Sequence, residues 1–363
     1  MEKGYKTKYK AKVTDRDIEM FVPIYQLQVV SGDDLVAIYH EGRGYGKRRI
    51  QQLTKDGYLE RYYKVRGKGS KQPGQAYGTA FGLTDQAIAE LVRIGKIGQP
   101  PRRARDLRLP TVEMLLQIKV SKIALNIEAA GWKVLGRMDS KQQLSLSQYS
   151  RTQMVIISPE GETYQVYVVN KSILDQTLIK LIMELGEAKR KSIILYKTEG
   201  NTPKAIGEKT PAYESIVNKI TEQNILKNEL CLIPMAEWEE GGKKRNFALE
   251  ALLNSSEVQV EQYLRKRYGK IRFIDNRYHY GNTVVEQEGK EYVVCNYLRR
   301  DQTALRLLAR YLTRSEYEDN GKGAIVLTWM GFAEEVQQII DSYQKRDFIK
   351  VKGVTVKEIV DSQ

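Results

Sequence analysis

Apolar residues recur at spacings of three and four in three short segments near the amino terminus, which is the pattern of helices with one buried face. The first segment follows Thr14 and carries apolar residues as far as Val30. Ser31 precedes a second, shorter segment and has Asp34 three residues later, a spacing that resembles a capping box. A third segment ends at Gly57. We therefore predict three consecutive helices, the first two begun by the polar caps Thr14 and Ser31.

A glycine-rich segment, EGRGYG at residues 41–46, separates the second and third helices. Glycines at this density break the helical pattern and allow a tight turn. In the third helix, which we expect to start near Tyr45, Ile50 and Leu53 face the core. The other side chains are mainly basic or amide, as in a helix that reads base edges in the major groove of DNA. The expected contacts of this recognition helix are Arg43, Tyr45, Lys47, Arg48, Arg49, Gln51, Gln52 and Lys55.

Two β-prone runs follow, at residues 58–65 and 75–84, and the connection between them reads RGKGSKQPG. The connection is cationic and contains no acidic residue, so we interpret the hairpin as the wing of a winged helix-turn-helix. Thr84 then caps a further helix. The expected DNA contacts of the wing are Arg61, Lys64, Arg66, Lys68 and Lys71.

Positive charge is concentrated at the amino end of the chain. Residues 1–110 contain 22 Lys and Arg against 12 Asp and Glu, a net charge of +10, whereas the whole chain carries +14. A basic helix face alone is more often a solvated surface. The three helices, the glycine turn, the cationic hairpin and the local charge together favour binding to nucleic acid. Residues 1–12 contain five lysines and are either an arm that follows phosphates or a plain flexible terminus.

Length and composition set outer bounds. A chain of 363 residues with 41% hydrophobic content is long and apolar enough for two or three ordinary domains. We find no run of eighteen apolar residues and no apolar segment after the lysine-rich start, and we expect a soluble, cytoplasmic protein without a membrane partner. Cys231 and Cys295 each lie in an apolar context and are predicted to be buried free thiols rather than a disulfide.

The pattern changes after a segment rich in proline and arginine, which we interpret as a linker whose arginines either contact the DNA backbone or are simply solvated. Beyond it, helical and strand patterns mix in an αβββαβ series, and a weaker series begins near Phe247. Both contain a strand, a break with Asp-Gln-Thr and an amphipathic helix, so either one α/β unit is duplicated or the likeness is coincidental. The predicted regions are a basic arm at 1–12, the winged helix at 13–95, the linker at 96–110, and α/β domains at 111–242 and 243–363.

The opening TDRDIEMFVPIYQLQVVSGDDL, the segment KRRIQQLTKDGYLERYY and the close YGTAFGLTDQAIAELV resemble the replication-relaxation family of plasmid and integrative-element proteins. This resemblance covers roughly residues 14 to 240. It implies DNA binding in plasmid replication or mobilisation. It also implies a second domain similar to the restriction-endonuclease fold.

Active enzymes of that fold hold Mg²⁺ with acids on two strands and place a lysine two residues after the second acid. In this chain the matching strand reads VYVVNK, with Lys171 in the lysine position but Val169 in the acid position. We therefore expect catalytically degenerate units that bind no cofactor and no metal. An alternative metal site would need acids at other positions, such as Asp139, Glu162 and Asp175.

Histidine chemistry offers little further support for an enzyme. His40 and His279 are the only histidines and lie far apart in sequence. His40 ends the second helix and is more simply a cap or packing residue than a ligand. His279 lies in an aromatic cluster and either stacks on a base or occupies a solvated turn.

Three functional hypotheses follow. The first is a sequence-specific, non-catalytic protein that binds double-stranded DNA of a plasmid origin or transfer region, with replication or conjugation proteins as further partners and self-association left open. The second is a divergent metal-dependent nuclease or relaxase that nicks DNA. The third is a transcriptional regulator. We favour the first because carboxylates are missing from the key strands.

Overall fold

The structure is a computed structural model with a mixed α+β fold. The chain divides into two compact units, Met1–Ser145 and Leu146–Gln363, which we call unit 1 and unit 2. The described residues are 12–40, 42–62, 79–188, 190–198, 209–224, 228–240, 243–274, 280–313, 322–342 and 348–362.

Unit 1 contains seven helices and four strands among its described residues. The helices are α1 (Asp15–Leu27), α2 (Gly32–Tyr39), α3 (Arg43–Lys55), α4 (Asp85–Arg93), α5 (Ala104–Leu107), α6 (Thr111–Ala129) and α7 (Arg137–Gln143). The strands are β1 (Val30–Ser31), β2 (Leu59–Tyr62), β3 (Ala80–Leu83) and β4 (Lys133–Gly136). The first three strands form an antiparallel sheet in the order β1-β3-β2.

The predicted helix caps of unit 1 are confirmed. The side chain of Thr14 accepts a hydrogen bond from the backbone of Asp17, and Ser31 and Thr84 cap α2 and α4 in the same way. Helix α1 ends at Leu27, three residues before its predicted end. The reason is tertiary, because Val30 pairs with Phe81 in the sheet instead of continuing the helix.

The glycines of residues 41–46 were predicted to form a turn, but two of them lie in a helix. Helix α3 begins at Arg43, two residues before the expected start, so Gly44 and Gly46 lie inside the helix rather than in a turn. A Cβ added at Gly46 would lie 2.8 Å from the Cβ of His40. Glycine at this position therefore allows α3 to approach the end of α2 closely.

The segment predicted as a linker is folded onto unit 1. It contains α5, and the backbone N–H of Arg102 donates to the Tyr25 hydroxyl at 2.9 Å. The backbone N–H of Ala104 donates to Asp85 at 2.7 Å. Proline and arginine content therefore does not identify a linker here, because the contacts that hold the segment come from distant parts of the chain.

Helix α6, which the sequence pattern assigns to the following α/β domain, also belongs to unit 1. It packs against β1 and α2. Met114 joins Val29 and Ala80 in one apolar cluster, and the hydroxyl of Ser121 donates to the carbonyl of Val29 at 2.7 Å. The division of the chain falls after Ser145 and not between residues 110 and 111.

Unit 2 contains two α/β series. The first comprises β5 (Met154–Ile157), β6 (Thr163–Val169), α8 (Asp175–Glu187), β7 (Lys191–Tyr196), α9 (Pro211–Glu222) and β8 (Leu230–Pro234). The connection contains β9 (Glu237–Glu240), β10 (Lys243–Asn246) and α10 (Phe247–Leu253). The second series comprises α11 (Glu257–Tyr268), β11 (Ile271–Phe273), β12 (Thr283–Gln287), β13 (Lys290–Asn296), α12 (Gln302–Thr313), β14 (Gly323–Trp329), α13 (Ala333–Asp341), β15 (Ile349–Val354) and α14 (Val356–Val360).

The two series share one strand topology. In the first, β5 pairs antiparallel with β6, and β6, β7 and β8 follow in parallel. In the second, β12 pairs antiparallel with β13, and β13, β14 and β15 follow in parallel. We call residues 154–234 repeat 1 and residues 283–354 repeat 2. This shared order supports the predicted duplication of one α/β unit.

The cores of unit 2 are built from its central strands. Cys231 and Cys295 lie in them as buried free thiols, as predicted. Burial raises the pKa of both thiols above the usual value. In the described parts of the chain, no helix combines the length and the apolar character needed to cross a membrane.

Candidate nucleic-acid interface

Helix α3 separates an apolar face from a cationic face. Ile50 and Leu53 are buried, whereas Lys47, Arg48 and Gln51 are exposed. Lys55, four residues after Gln51 and therefore on the same side of the helix, is exposed as well. The exposed side thus presents three cations and one amide along about three turns. We call Lys47, Arg48, Gln51 and Lys55 the α3 face.

The α3 face borders a groove of about 560 Å³. Its other walls come from the start of α2 and from the sheet, where the guanidinium of Arg61 donates to the Thr79 hydroxyl at 3.1 Å. Arg61, predicted as a wing residue, is therefore in the same concavity as Lys47, Gln51 and Lys55. Asp33 also lines the groove, 3.9 Å from the Lys47 ammonium. One acid against three cations, Lys47, Lys55 and Arg61, leaves the lining of this groove positive.

In this structure the guanidinium of Arg49 is occupied by other residues of unit 1 and does not face outward to contact bases. Its Nε donates to Asp17 at 3.0 Å, its Nη2 donates to the other oxygen of the same carboxylate, and Nη2 also donates to the carbonyl of Lys12 at 2.8 Å. Burial alone would raise the pKa of Asp17, but hydrogen bonds from Arg49 and Thr14 outweigh it and hold that pKa below its usual value. The predicted base contact is thus an internal ion pair that joins α3 to α1.

Two further predicted contacts have neighbours of their own. The amide of Gln52 donates to both carboxylate oxygens of Asp56, at 2.9 and 3.0 Å. Tyr45 is 57% exposed and its ring packs edge-on against His40, with ring centroids 5.9 Å apart. Tyr45 therefore remains on the surface beside the α3 face, whereas Gln52 would have to exchange partners to reach DNA.

His40 is a cap and packing residue, as expected. Its backbone N–H donates to the carbonyl of Val36 at the end of α2, and its side chain is buried beside Gly46. Burial and the charge of Arg16 lower the pKa of this imidazole, which favours the neutral ring.

Several predicted contacts lie outside the described residues. These are the wing residues Lys64, Arg66, Lys68 and Lys71, the side chain of Arg43, His279 and the basic arm up to residue 11.

Two of the four arginines in the segment predicted as a linker form ion pairs with distant residues of unit 1. Arg102 pairs with Asp139 at 2.7 Å, and Arg108 forms a forked pair with Glu60 at 2.9 Å. Asp139 is one of the three acids proposed for an alternative metal site, and here its charge is already neutralised by Arg102.

The other two acids of that alternative lie in unit 2 and have different surroundings. Glu162 accepts hydrogen bonds from Lys191 and Tyr164 and lies 3.4 Å from Arg299. Burial would raise the pKa of Glu162, but these cations and the Tyr164 hydroxyl lower it below the usual value. Asp175 is exposed at the start of α8. Among the residues that the structure describes, no three His, Cys, Asp or Glu side chains are grouped so that they could hold a metal ion.

Sequence reasoning missed a buried arginine cluster in unit 2. Arg300 is 1% exposed and donates to Glu335 at 3.1 Å and to the Tyr213 hydroxyl at 3.2 Å. Its guanidinium also lies 4.0 Å from the ring centroid of Phe332. A signal was present, because the repeated segment before Asp-Gln-Thr reads Ile-Leu in one copy and Arg-Arg in the other.

Comparison with known proteins adds no name to these sites, since no protein-family model and no curated protein sequence matches the chain.

Proposed function

We propose that the chain is a sequence-specific, non-catalytic protein that binds double-stranded DNA, and that unit 1 binds it as a winged helix. The observation that carries this proposal is the α3 face, three exposed cations and an amide beside the groove that Arg61 also lines. Guanidinium and amide groups match the hydrogen-bonding edges of guanine and adenine, and lysines neutralise phosphate.

The arrangement of elements around α3 supports the same proposal. The element order α1, β1, α2, α3, β2, β3 and the sheet order β1-β3-β2 are compatible with the winged helix that we propose. In that fold the third helix enters the major groove, and the β2–β3 connection lies against the neighbouring backbone. We therefore assign the first role to the α3 face and a backbone-contacting role to Arg61 on β2.

The biological process we propose is replication initiation or mobilisation of a plasmid or another mobile element. It rests on the resemblance to the replication-relaxation family. A non-catalytic role is supported by the acids themselves, because Asp139 and Glu162 are each paired with an internal cation. Asp175 lies exposed at the start of α8.

Selection of binding sites from a random duplex pool tests DNA recognition with the full chain. We expect an enriched site, and we expect the variant Arg48→Ala/Gln51→Ala to lose about tenfold or more in affinity for it, since each good base contact contributes about 1–3 kcal/mol. Arg93→Ala is the matched control, because Arg93 is an exposed arginine on α4 in the same unit. No enriched site, or equal losses in both variants, would overturn the assignment of α3.

Supercoiled plasmid incubated with the protein and Mg²⁺ or Mn²⁺ tests the absence of catalysis. We expect no nicking. Nicking that persists through purification and disappears in Glu162→Gln, but not in Glu214→Gln, would instead favour the nuclease. Glu214 is the matched control because it is an exposed glutamate of the same unit at the start of α9.

A further inference from the structure

His40 connects the end of α2 to the first turn of α3. Its backbone caps α2, and the residue as a whole is 7% exposed. A Cβ added at Gly46 would lie 2.8 Å from the Cβ of His40 and 3.0 Å from its ring atoms Cγ and Cδ2. The backbone of α3 therefore rests on this side chain, and the place of α3 depends on the place of the imidazole.

The imidazole of His40 lies in surroundings that suit a neutral ring. Both Nδ1 and Nε2 are buried, and no described residue forms a hydrogen bond with either of them. The ring of Tyr45 packs against it edge-on. An imidazolium here would bury a net charge, and both of its N–H groups would be donors without an acceptor. The site therefore accepts the neutral ring and resists the protonated one.

The charges around His40 act in the same direction. Arg16 and Asp17 of α1 and Arg49 of α3 interact with the ring through their charges. Tyr45 of α3 is the titratable group beside it. Burial and the charge of Arg16 lower the pKa of the imidazole, and Asp17 offsets this effect only in part. The Asp17 carboxylate is itself held by Arg49.

Protonation of His40 should separate its ring from α3. The charged ring regains full solvation when it leaves the space beside Gly46, and the backbone contact that fixes the first turns of α3 is then lost. Lys47 and Arg48 follow Gly46 directly in the helix. A shift of these turns therefore moves two of the four residues of the α3 face.

We propose that neutral His40 is a positioning residue that holds α3 for DNA binding, and that its protonation releases the α3 face and weakens binding. This inference rests on the proposed function, because it concerns the same surface. Its expected direction is opposite to that of charge alone. Acid makes the protein more positive, which by itself strengthens binding to a polyanion.

The stability of unit 1 should follow the same pH dependence. A histidine in the unfolded chain has a pKa of about 6.5, and the pKa of folded His40 is lower. Between these two values the unfolded state binds more protons. The contribution of neutral His40 to stability is therefore complete above pH of about 6.5 and is lost as the pH falls.

Titration of the selected DNA site with the full chain, at constant ionic strength from about pH 7.5 to about pH 5, tests the proposal. We expect the affinity to fall by about fivefold or more, with a limit of about tenfold per pH unit because one proton is bound. His40→Gln, which cannot be protonated, should abolish the fall. His279→Gln, at the other histidine of the chain, is the matched control and should retain it. If His40→Gln binds poorly near neutral pH, His40→Phe repeats the test with a ring that does not titrate.

Gly46→Ala tests the positioning role without a change of pH. The added methyl group should displace α3 from the imidazole, so we expect about a tenfold loss of DNA affinity near neutral pH. Gly44→Ala is the matched control, because it adds the same group to the same helix at a position where a Cβ meets nothing within 4 Å. It should bind like the unaltered chain.

Hydrogen exchange of α3 without DNA separates this inference from the proposed function. After correction for the intrinsic effect of pH on exchange, α3 should be less protected at the acidic end of the range in the unaltered chain but not in His40→Gln. A chain that binds no DNA at any pH contradicts the proposed function, and the exchange result still shows whether His40 holds α3. DNA binding that is constant or stronger in acid, or protection of α3 that does not change, would overturn the inference and leave the proposed function in place.

Discussion

Arginine has opposite roles in the two units. On the α3 face, Arg48 is exposed and donates to the carbonyl of Gly44 in its own helix, at 3.3 Å. In repeat 2, Arg300 is enclosed by Glu335, Tyr213 and Phe332. An exposed guanidinium is already solvated and adds little to stability, whereas a buried one must be fully compensated by its partners. The same residue type is therefore a candidate contact in unit 1 and a structural element in unit 2.

This difference shows that net charge identifies a region of positive potential but not the residues that contact a ligand. The charge excess of the first 110 residues pointed to unit 1, yet it includes Arg49 and Arg102, which are ion-paired inside that unit. What distinguishes Arg48 from them is the surface on which it lies. The cations of a surface that binds a polyanion must be exposed to solvent, as Arg48 is.

The largest predicted effect is a loss of stability on replacement of the buried arginine, Arg300. Arg300→Met should destabilise unit 2 by about 3–5 kcal/mol, because it leaves the Glu335 carboxylate without its buried partner. Arg48→Ala should change stability by about 0.5 kcal/mol or less, as is usual for surface positions. Hydrogen exchange measured by mass spectrometry assigns each change to its unit. The double variant Arg300→Met/Glu335→Leu should recover much of the loss, since both charges are then absent.

Similar losses of stability for Arg300→Met and Arg48→Ala would break the comparison, because burial would then not separate the two roles.

The second-largest predicted effect is a change in the stability of unit 2 with pH, caused by the titration of Asp301. Burial and the nearby Glu229 carboxylate raise the pKa of Asp301 to about 7. A raised carboxyl pKa means that the folded state binds the proton more tightly, so its contribution to stability is complete below the unfolded pKa of about 4. That contribution is lost as the pH rises through about 7. Over about three pH units, at about 1.4 kcal/mol per unit, the loss is on the order of 4 kcal/mol.

Asp301→Asn tests this contribution, because an amide oxygen can still accept the hydrogen bonds from Leu230 and Thr303. Relative to the unaltered chain, the variant should gain stability as the pH rises from about 4 to 8 in denaturant titrations. Asp175→Asn, at the equivalent exposed position of repeat 1, is the matched control and should follow the unaltered profile. Parallel profiles for the unaltered chain and Asp301→Asn would show that Asp301 does not titrate in this range.

Much of the fold was predictable because its signals are local. The sequence after Phe247 predicts strands at residues 283–287 and 292–296 and a helix at residues 301–313. The strands β12 and β13 and the helix α12 lie within two residues of these bounds, since alternation and helical spacing are properties of neighbouring residues. The caps at Thr14 and Ser31 are local as well. The α3 face followed from the same spacing, which separated Ile50 and Leu53 from the cations.

The remaining errors concern contacts between distant residues. Arg49 and Asp17 are separated by 32 positions, and no spacing rule connects them. Residues 96–110 looked like a linker because proline and arginine do not form a periodic pattern, although the segment packs on unit 1. The elements near the carboxyl end, such as α13 and β15, were not predicted separately. For Arg299 and Arg300, only comparison of the two repeats indicates an unusual role.

The smallest expected effect separates two adjacent arginines, Arg49 as a structural residue and Arg48 as the proposed DNA contact. Arg49→Ala leaves the buried Asp17 carboxylate without its cation and should destabilise unit 1 by about 1–3 kcal/mol. Asp17 retains its hydrogen bonds from Thr14, which is why we expect less than for Arg300. Arg48→Ala should leave stability unchanged and weaken binding to the selected DNA site.

Both variants are measured by equilibrium unfolding and by DNA titration below the unfolding transition. If Arg49 holds α3 on α1 while Arg48 faces the ligand, Arg49→Ala loses stability and Arg48→Ala loses DNA affinity. If Arg49→Ala is fully stable and loses DNA affinity, then Arg49 leaves Asp17 to contact DNA, and the α3 face extends one position further around the helix than the free structure indicates.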